Sequence, residues 1–332
     1  MRKTGMQMTR AMKPGLLARW AVLGVVAFTV PLAPGVARAN CGSAFCSLST
    51  DWNLQGVWTE PGARIDARFE TINQDQPTVG NKSVAAGAMQ RDHNEKQTLN
   101  RNLLVTADYA FDEAWSVSAA VPYVERYHKH VDLATGKTET WHFTELGDVR
   151  MLGRFQPGDH AVPSTAALGL NFGLKLPTGR TGIANAQGEK AERALQPGTG
   201  TTDLLFGASV SRRLGPGSLV FVQGLWQNAL DMKDGYQPGA RVSLDAGYRT
   251  NVTGELALIV QLNALLKGID GGAQADPQDS GGTFVYLSPG ASYALGDSLQ
   301  VYAFYQVPVY QYVNGLQLTA KDSSAVGVSA RF

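Results

Sequence analysis

His128, His130 and His142 fall in one stretch of the chain together with Trp141 and Glu145, and imidazole beside carboxylate is common raw material for a metal centre. Their spacing matches none of the established ligand patterns, so neither a metal nor another cofactor is expected from it. The two cysteines, Cys41 and Cys46, stand five positions apart. In an oxidising compartment such a pair, with no thiol left over, closes a small disulfide loop. The other chemistries open to it are a soft-metal site completed by further ligands and a handle for a periplasmic partner. Covalent catalysis would need a nucleophile beside a positioned base. The chain offers no nucleophile elbow or metal-hydrolase pattern, and Asp92-His93-Asn94 is too little to assign a base, so an enzyme is not expected.

The remaining charge is distributed in a different way. Arg64, Asp66, Arg68, Glu70, Asp108, Asp148, Arg150, Arg154, Lys175, Asp203, Arg241, Asp245, Arg249 and Glu255 form a row of both signs, set against apolar neighbours at alternate positions. Two chemistries suit such a row: a selectivity lining inside a pore, or mutual pairing across strands that walls an interior.

Either chemistry requires strands to carry the row. About twelve strands can be read, near Arg64–Thr71, Thr98–Ala110, Trp115–Arg126, Gly147–Gln156, Ala166–Leu176, Thr202–Leu214, Leu219–Asn228, Ala240–Arg249, Glu255–Leu266, Thr283–Leu295, Leu299–Tyr310 and Thr319–Phe332. Each is roughly the ten residues that a tilted membrane strand needs. Connections alternate between long, such as Ile72–Gln97 and Tyr127–Leu146, and short, such as Phe111–Ala114 and Gly296–Ser298. Along the ninth strand Leu256, Leu258, Val260, Leu262, Ala264 and Leu266 share one face, and Glu255, Gln261 and Asn263 the other. That period of two, apolar toward lipid and polar toward a lumen, predicts an all-β transmembrane antiparallel barrel with short periplasmic turns and long extracellular loops. Pro122, Pro289 and Pro308 fall inside strands, where a missing ladder donor predicts a bulge or an edge.

The compartment is read from the other end. Arg2, Lys3, Arg10, Lys13 and Arg19 precede the apolar stretch Trp20–Leu32, and Ala37-Arg38-Ala39 supplies small residues around a cut site. Residues 1–39 are expected to be a secretory signal peptide, 40–63 a periplasmic segment with the cysteine pair, and 64–332 the barrel in the bacterial outer membrane. Loss of 1–39 would leave 23 of the 29 Lys and Arg against 28 Asp and Glu, a net charge of about −5 that argues against nucleic-acid binding. The chain closes Val326-Gly327-Val328-Ser329-Ala330-Arg331-Phe332, an alternating strand ending in an aromatic. Phe332 is the expected handle for the barrel-assembly machinery, and outer-membrane lipid and a small solute are the other expected partners.

Several segments carry a resemblance. Leu146-Gly147-Asp148-Val149, Leu174-Lys175-Leu176-Pro177-Thr178-Gly179, Gln196-Pro197-Gly198-Thr199-Gly200, Leu287-Ser288-Pro289-Gly290, and Gln306-Val307-Pro308-Val309-Tyr310-Gln311 with Asn314-Gly315 span most of the chain beyond residue 39. They resemble the outer-membrane transporter-like barrels associated with the meta-cleavage pathway of phenol degradation. The resemblance implies a barrel and a channel or transporter for small aromatic or apolar compounds. The competing reading is a barrel for partner assembly or metal handling through Cys41 and Cys46.

Overall fold

A computed structural model of the protein describes residues 40–41, 48–87, 93–157 and 166–332. The expected signal peptide lies outside the described residues, as does Cys46 and with it the expected disulfide. The strands are β1 (Asn40–Cys41), β2 (Gly62–Gly80), β3 (Lys82–Ser83), β4 (His93–Ala110), β5 (Trp115–Asp132), β6 (Thr138–Leu146), β7 (Arg150–Phe155), β8 (Ala167–Lys175), β9 (Asp203–Gly215), β10 (Ser218–Ala229), β11 (Arg241–Asn251), β12 (Leu256–Lys267), β13 (Gly282–Ala294) and β14 (Leu299–Arg331). Neighbours in the wall pair antiparallel from β2 through β4, β5, β7 and onward to β14, and β14 closes the sheet by pairing with β2. Eleven elements thus form the wall, with β1 and β3 outside it and β6 continuing β7 along the outer half of β5.

The long last element is itself a hairpin. One arm pairs with β13 up to Val313, the other pairs with β2 from Leu316, and Arg331 N–H returns to Ser298 C=O at 2.8 Å. Its two arms make the wall twelve strands around, the even number that returns both barrel ends to one side. Gly315 makes the turn with φ of 58°, and a Cβ there would overlap the Asp279 carboxylate. Only glycine fits that position without strain.

The distribution of side chains is that of a membrane barrel. Leu258, Val260, Leu262 and Leu266 of β12 and Leu168, Leu170, Phe172 and Leu174 of β8 are exposed on the outside, whereas Gln261, Asn263, Ser288 and Gln306 are buried inside. Burying the polar row and exposing the apolar one is favourable only where lipid replaces water outside. Tyr109, Trp115, Trp226, Tyr248, Tyr293 and Phe332 are exposed near strand ends, where amphipathic rings match the headgroup region, and Tyr123, expected with them, is exposed midway along β5.

Each proline keeps a register partner on one side, Pro122 with Leu104, Pro289 with Val260 and Pro308 with Tyr286, and meets an irregularity of the ladder beside it. Pro122 faces the break between β6 and β7, Pro289 lies between the Leu287↔Val307 and Gly290↔Phe304 pairs, and Pro308 adjoins the register shift at Val285/Tyr286.

Two expectations about the ends of the barrel are corrected. The stretch 127–146 is not one long loop: β5 runs on to Asp132 and β6 begins at Thr138, so His128 and His130 lie on a strand. Arg101 pairs with Glu125 at 3.1 Å on the outer face of this extension, and outward charge of that kind places it beyond the apolar belt. Within the described part of the segment expected in the periplasm, Leu48 to Val57 runs inside the barrel, and Thr59 and Glu60 are exposed. Leu48, Trp52 and Leu54 are buried there, packed on Ile259, Tyr302 and Phe304 or on Leu219 and Phe221.

Candidate functional site: the lumen and its two closures

The lumen is closed at each end by chain folded into it. On the periplasmic side the strap of residues 48–58 is held by both backbone groups of Ser49, which exchange bonds of 3.2 and 2.9 Å with the Gln261 amide. Trp52 donates to Asp66 at 3.2 Å and sets its ring edge-on to Tyr302, and Asp51 pairs with Arg154 at 3.0 Å. Trp58 reaches the periplasmic turn, donating to Asp297 C=O at 3.0 Å.

On the extracellular side loop 176–202 folds inward, and the segments around Asp148, Lys175 and Thr199 meet in one knot that anchors it. Asp148, in the break between β6 and β7, accepts bonds from Gly179 N–H at 3.0 Å, from Thr199 N–H and Oγ1 at 2.9 Å each, and from Lys175 Nζ at 2.9 Å. Lys175 also meets Asp203 at 3.1 Å and Thr201 C=O at 2.9 Å, and all three charged residues are buried. Glycine is required where the loop crosses itself, since a Cβ on Gly198 would overlap the Gly179 backbone. Arg126 donates to Leu195 C=O at 2.6 Å, and Arg193 spans Thr181 and Thr199 C=O beneath the Tyr236 ring. The second pair of resembling segments forms a wall network in which Ser288 donates to Asn263 at 2.6 Å and Gln306 to Ser288 at 2.8 Å.

Between the closures lie two cavities that share Arg68, Ala120 and Arg150. The outer one, about 150 Å³, sits under loop 176–202 and also touches Tyr236 and Pro238. The inner one, about 240 Å³, is lined by the strap together with Asp108, Asn171 and Gln223. The charged row can now be placed. Arg64, Asp66 and Asp108 line the inner cavity; Glu70, Asp148, Lys175, Asp203 and Arg241 line the outer one; Arg68 and Arg150 line both. Arg154 is tied to the strap, and Asp245 is buried in the wall, accepting from Asn263 at 2.7 Å and Gln223 at 2.9 Å. Arg249 is half-buried and lines neither of these cavities. Glu255 is not in the lumen: β12 starts one residue later, and Glu255 is exposed in a periplasmic turn beside Thr253.

The outer cavity is strongly cationic, with seven basic side chains against the carboxylates of Glu70, Asp148 and Asp203. Arg68 pairs with Glu70 at 2.8 Å, Lys175 with its two aspartates, and Lys267 with Asp270 at 2.9 Å. Arg150 and Arg241 face the same space with no hydrogen bond or ion pair to any described residue. Sequence reading placed both on the inner face, but it could not show that the carboxylates near them were already engaged.

Reading along the chain also missed a cluster at the outer end. Glu95, His128 and His130 come together in the barrel interior, while His142, on the opposite face, is exposed and bonds Glu125 at 3.3 Å. The signal available was the His-x-His spacing, which on a strand places both rings on one side.

No protein family and no curated protein matches the chain by sequence. Among solved structures it is similar to an outer-membrane channel from Pseudomonas putida F1, with 15% identity, a TM-score of 0.60, and coverage of 82% of this chain and 96% of that one. The monoaromatic hydrocarbon channel CymD aligns at 10% identity and a TM-score of 0.43, covering 87% and 94% of the two chains. The NanC porin aligns at 10% identity and 0.44, covering 81% and 100%. These neighbours are outer-membrane β-barrel channels, and the likeness to the first of them shows what the geometry had already drawn: the fold of this chain is a closed outer-membrane β-barrel.

Proposed function

We propose that the protein is an outer-membrane channel for small organic solutes with an aromatic or apolar body, and that it favours those carrying a negative charge. The observation that carries this reading is the pair of guanidiniums, Arg150 and Arg241, facing a cavity whose carboxylates are engaged with other cations. A guanidinium with no hydrogen-bonded carboxylate among the described residues is stabilised most by an added anion, and a carboxylate matches its fork of donors. Leu104, Ala120, Pro122, Pro197 and Pro238 supply the apolar remainder of the lining, as a small-molecule site requires. The resemblance to barrels associated with phenol degradation supports the aromatic body.

Planar-bilayer recording of the refolded protein tests the proposal. In a salt gradient the reversal potential should indicate anion preference, and benzoate should block the current at lower concentration than benzyl alcohol or benzylammonium. Arg150→Gln with Arg241→Gln should remove both preferences. Equal block by the three probes, or a preference unchanged in the double variant, would refute the charge selectivity.

A further inference from the structure

We propose that Glu95, His128 and His130 form a buried binding site for one divalent transition metal ion of zinc's class, placed in the part of the barrel that rises above the bilayer. The site follows from strand geometry. His128 and His130 are successive inward positions of β5, with Thr98 and Glu95 of β4 directly across from them. The register shift between Glu95 and Gln97 turns Glu95 inward, so that it is 2% exposed, while His128 is 0% and His130 6% exposed. A bulge that re-aims a side chain in this way is a common device at functional sites.

The donor atoms have the spacing of a ligand set. His128 Nε2 lies 3.3 Å from His130 Nδ1 and 3.6 Å from Glu95 Oε2, and the three donors all fall within 4.8 Å of one another. Ligands held at roughly 2.0–2.1 Å around a tetrahedral zinc stand about 3.4 Å apart, which the two separations from His128 Nε2 bracket. The remote ring nitrogens are already oriented. His128 Nδ1 is 2.8 Å from Thr98 Oγ1, and His130 Nε2 is 3.0 Å from Glu139 Oε2. A carboxylate or hydroxyl behind each imidazole is the outer shell that fixes tautomer and ring direction in metal sites. When both rings donate backward, the lone pairs of His128 and His130 face each other beside a carboxylate, an arrangement that a cation between them stabilises.

The surroundings would keep one side of such an ion dry. Trp141 packs against both rings at 5.7 and 5.0 Å, and belongs to a buried cluster with Ala191, Leu195 and Leu318. Two imidazoles and one carboxylate select zinc, cobalt, nickel or copper over calcium or magnesium, which prefer all-oxygen cages. Bound there, the ion would clamp β4 to β5 and, through Trp141, whose indole donates to Glu189 C=O at 2.9 Å, steady loop 176–202.

Tag-free refolded barrel, stripped with chelator, is titrated with Zn²⁺ and Co²⁺. The expected result is one ion per chain, a visible cobalt spectrum of low-coordinate nitrogen and oxygen ligation, zinc-edge X-ray absorption fitting two imidazoles and no sulfur, and a higher melting temperature. Affinity should fall at least about tenfold in His128→Gln and Glu95→Gln, each checked for a folded barrel by its heat-modified gel mobility. It should be unchanged in His142→Ala and in Cys41→Ser with Cys46→Ser. A wild-type barrel that binds neither ion, sulfur in the zinc shell, or binding that survives both folded variants would overturn the proposal, since the cluster would then be a proton-linked hydrogen-bond network.

Discussion

At the scale of single residues, the strongest commitment in the molecule is Lys175 between Asp148 and Asp203. A buried ion set contributes little beyond an apolar replacement, but removing one member leaves the others uncompensated. Lys175→Met should therefore cost about 3–5 kcal/mol in guanidinium unfolding of the refolded barrel. The triple change that adds Asp148→Asn and Asp203→Asn should recover much of that loss, because neutral amides tolerate burial better than unpaired carboxylates. A single-variant cost near zero would mean that water reaches the triad freely. Asp270 offers a second residue-scale case, in the loop between β12 and β13. Burial raises its carboxyl, but the Lys267 ammonium and the Gly239 N–H lower it further, leaving it below the ordinary 3.8. Its latch on Lys267, Gly239 and Tyr236 is therefore at full strength above pH 3.8 and is lost as the pH falls through the lower folded value. Acid titration followed by exchange of the Gly239 amide should show that loss in the wild type, and Asp270→Asn should already exchange fast at neutral pH.

At the scale of elements, legibility followed the bilayer. In β11, β12 and β13 lipid on one side and lumen on the other impose alternation, and their positions could be read within a residue or two. Above the apolar belt that constraint disappears. In β5 beyond Tyr123 the outward residues are Glu125, Tyr127 and Lys129 and the inward ones Arg126, His128 and His130, so both faces are polar and the segment reads as loop. The turn at 314–315 was hidden for the same reason, and the inward charges could be located along the chain but not matched to their partners. The strap was illegible for another cause: it has no regular repeat, and its fixed points are Trp52, Leu54 and the backbone of Ser49, whose partners include Gln261, 212 residues from Ser49, and Tyr302, farther still from Trp52. Trp52→Ala removes the ring from Tyr302 and the donor from Asp66, and a buried tryptophan truncation costs about 3–5 kcal/mol. If the strap is a unit that opens by itself, hydrogen exchange at Ser49 and Val57 should accelerate strongly in that variant while Leu258 to Lys267 stay protected. Acceleration across β12 as well would make the strap part of the wall's cooperative unit.

At the scale of the whole molecule, two closures stand in series along one lumen: loop 176–202 above the outer cavity and the strap below the inner one. Resistances in series add, so current through the barrel is governed by the narrower closure. Loosening one leaves the other in control. The two are also separately anchored, the loop through Asp148, Arg126 and Arg193 and the strap through Gln261, Asp66 and Arg154, with no bond shared between the anchor sets. Their effects on stability should therefore add, as for independent sites, whereas their effects on conductance should not. Arg193→Ala removes the loop's bonds to Thr181 and Thr199 and its contact with Tyr236, and Trp52→Ala loosens the strap. Each alone should raise single-channel conductance only slightly, and the two together should raise it by more than the sum of the separate gains. If Trp52→Ala alone produces the full conductance of the pair, the loop offers no barrier of its own, and solute selection moves from the Arg150 and Arg241 cavity to the strap.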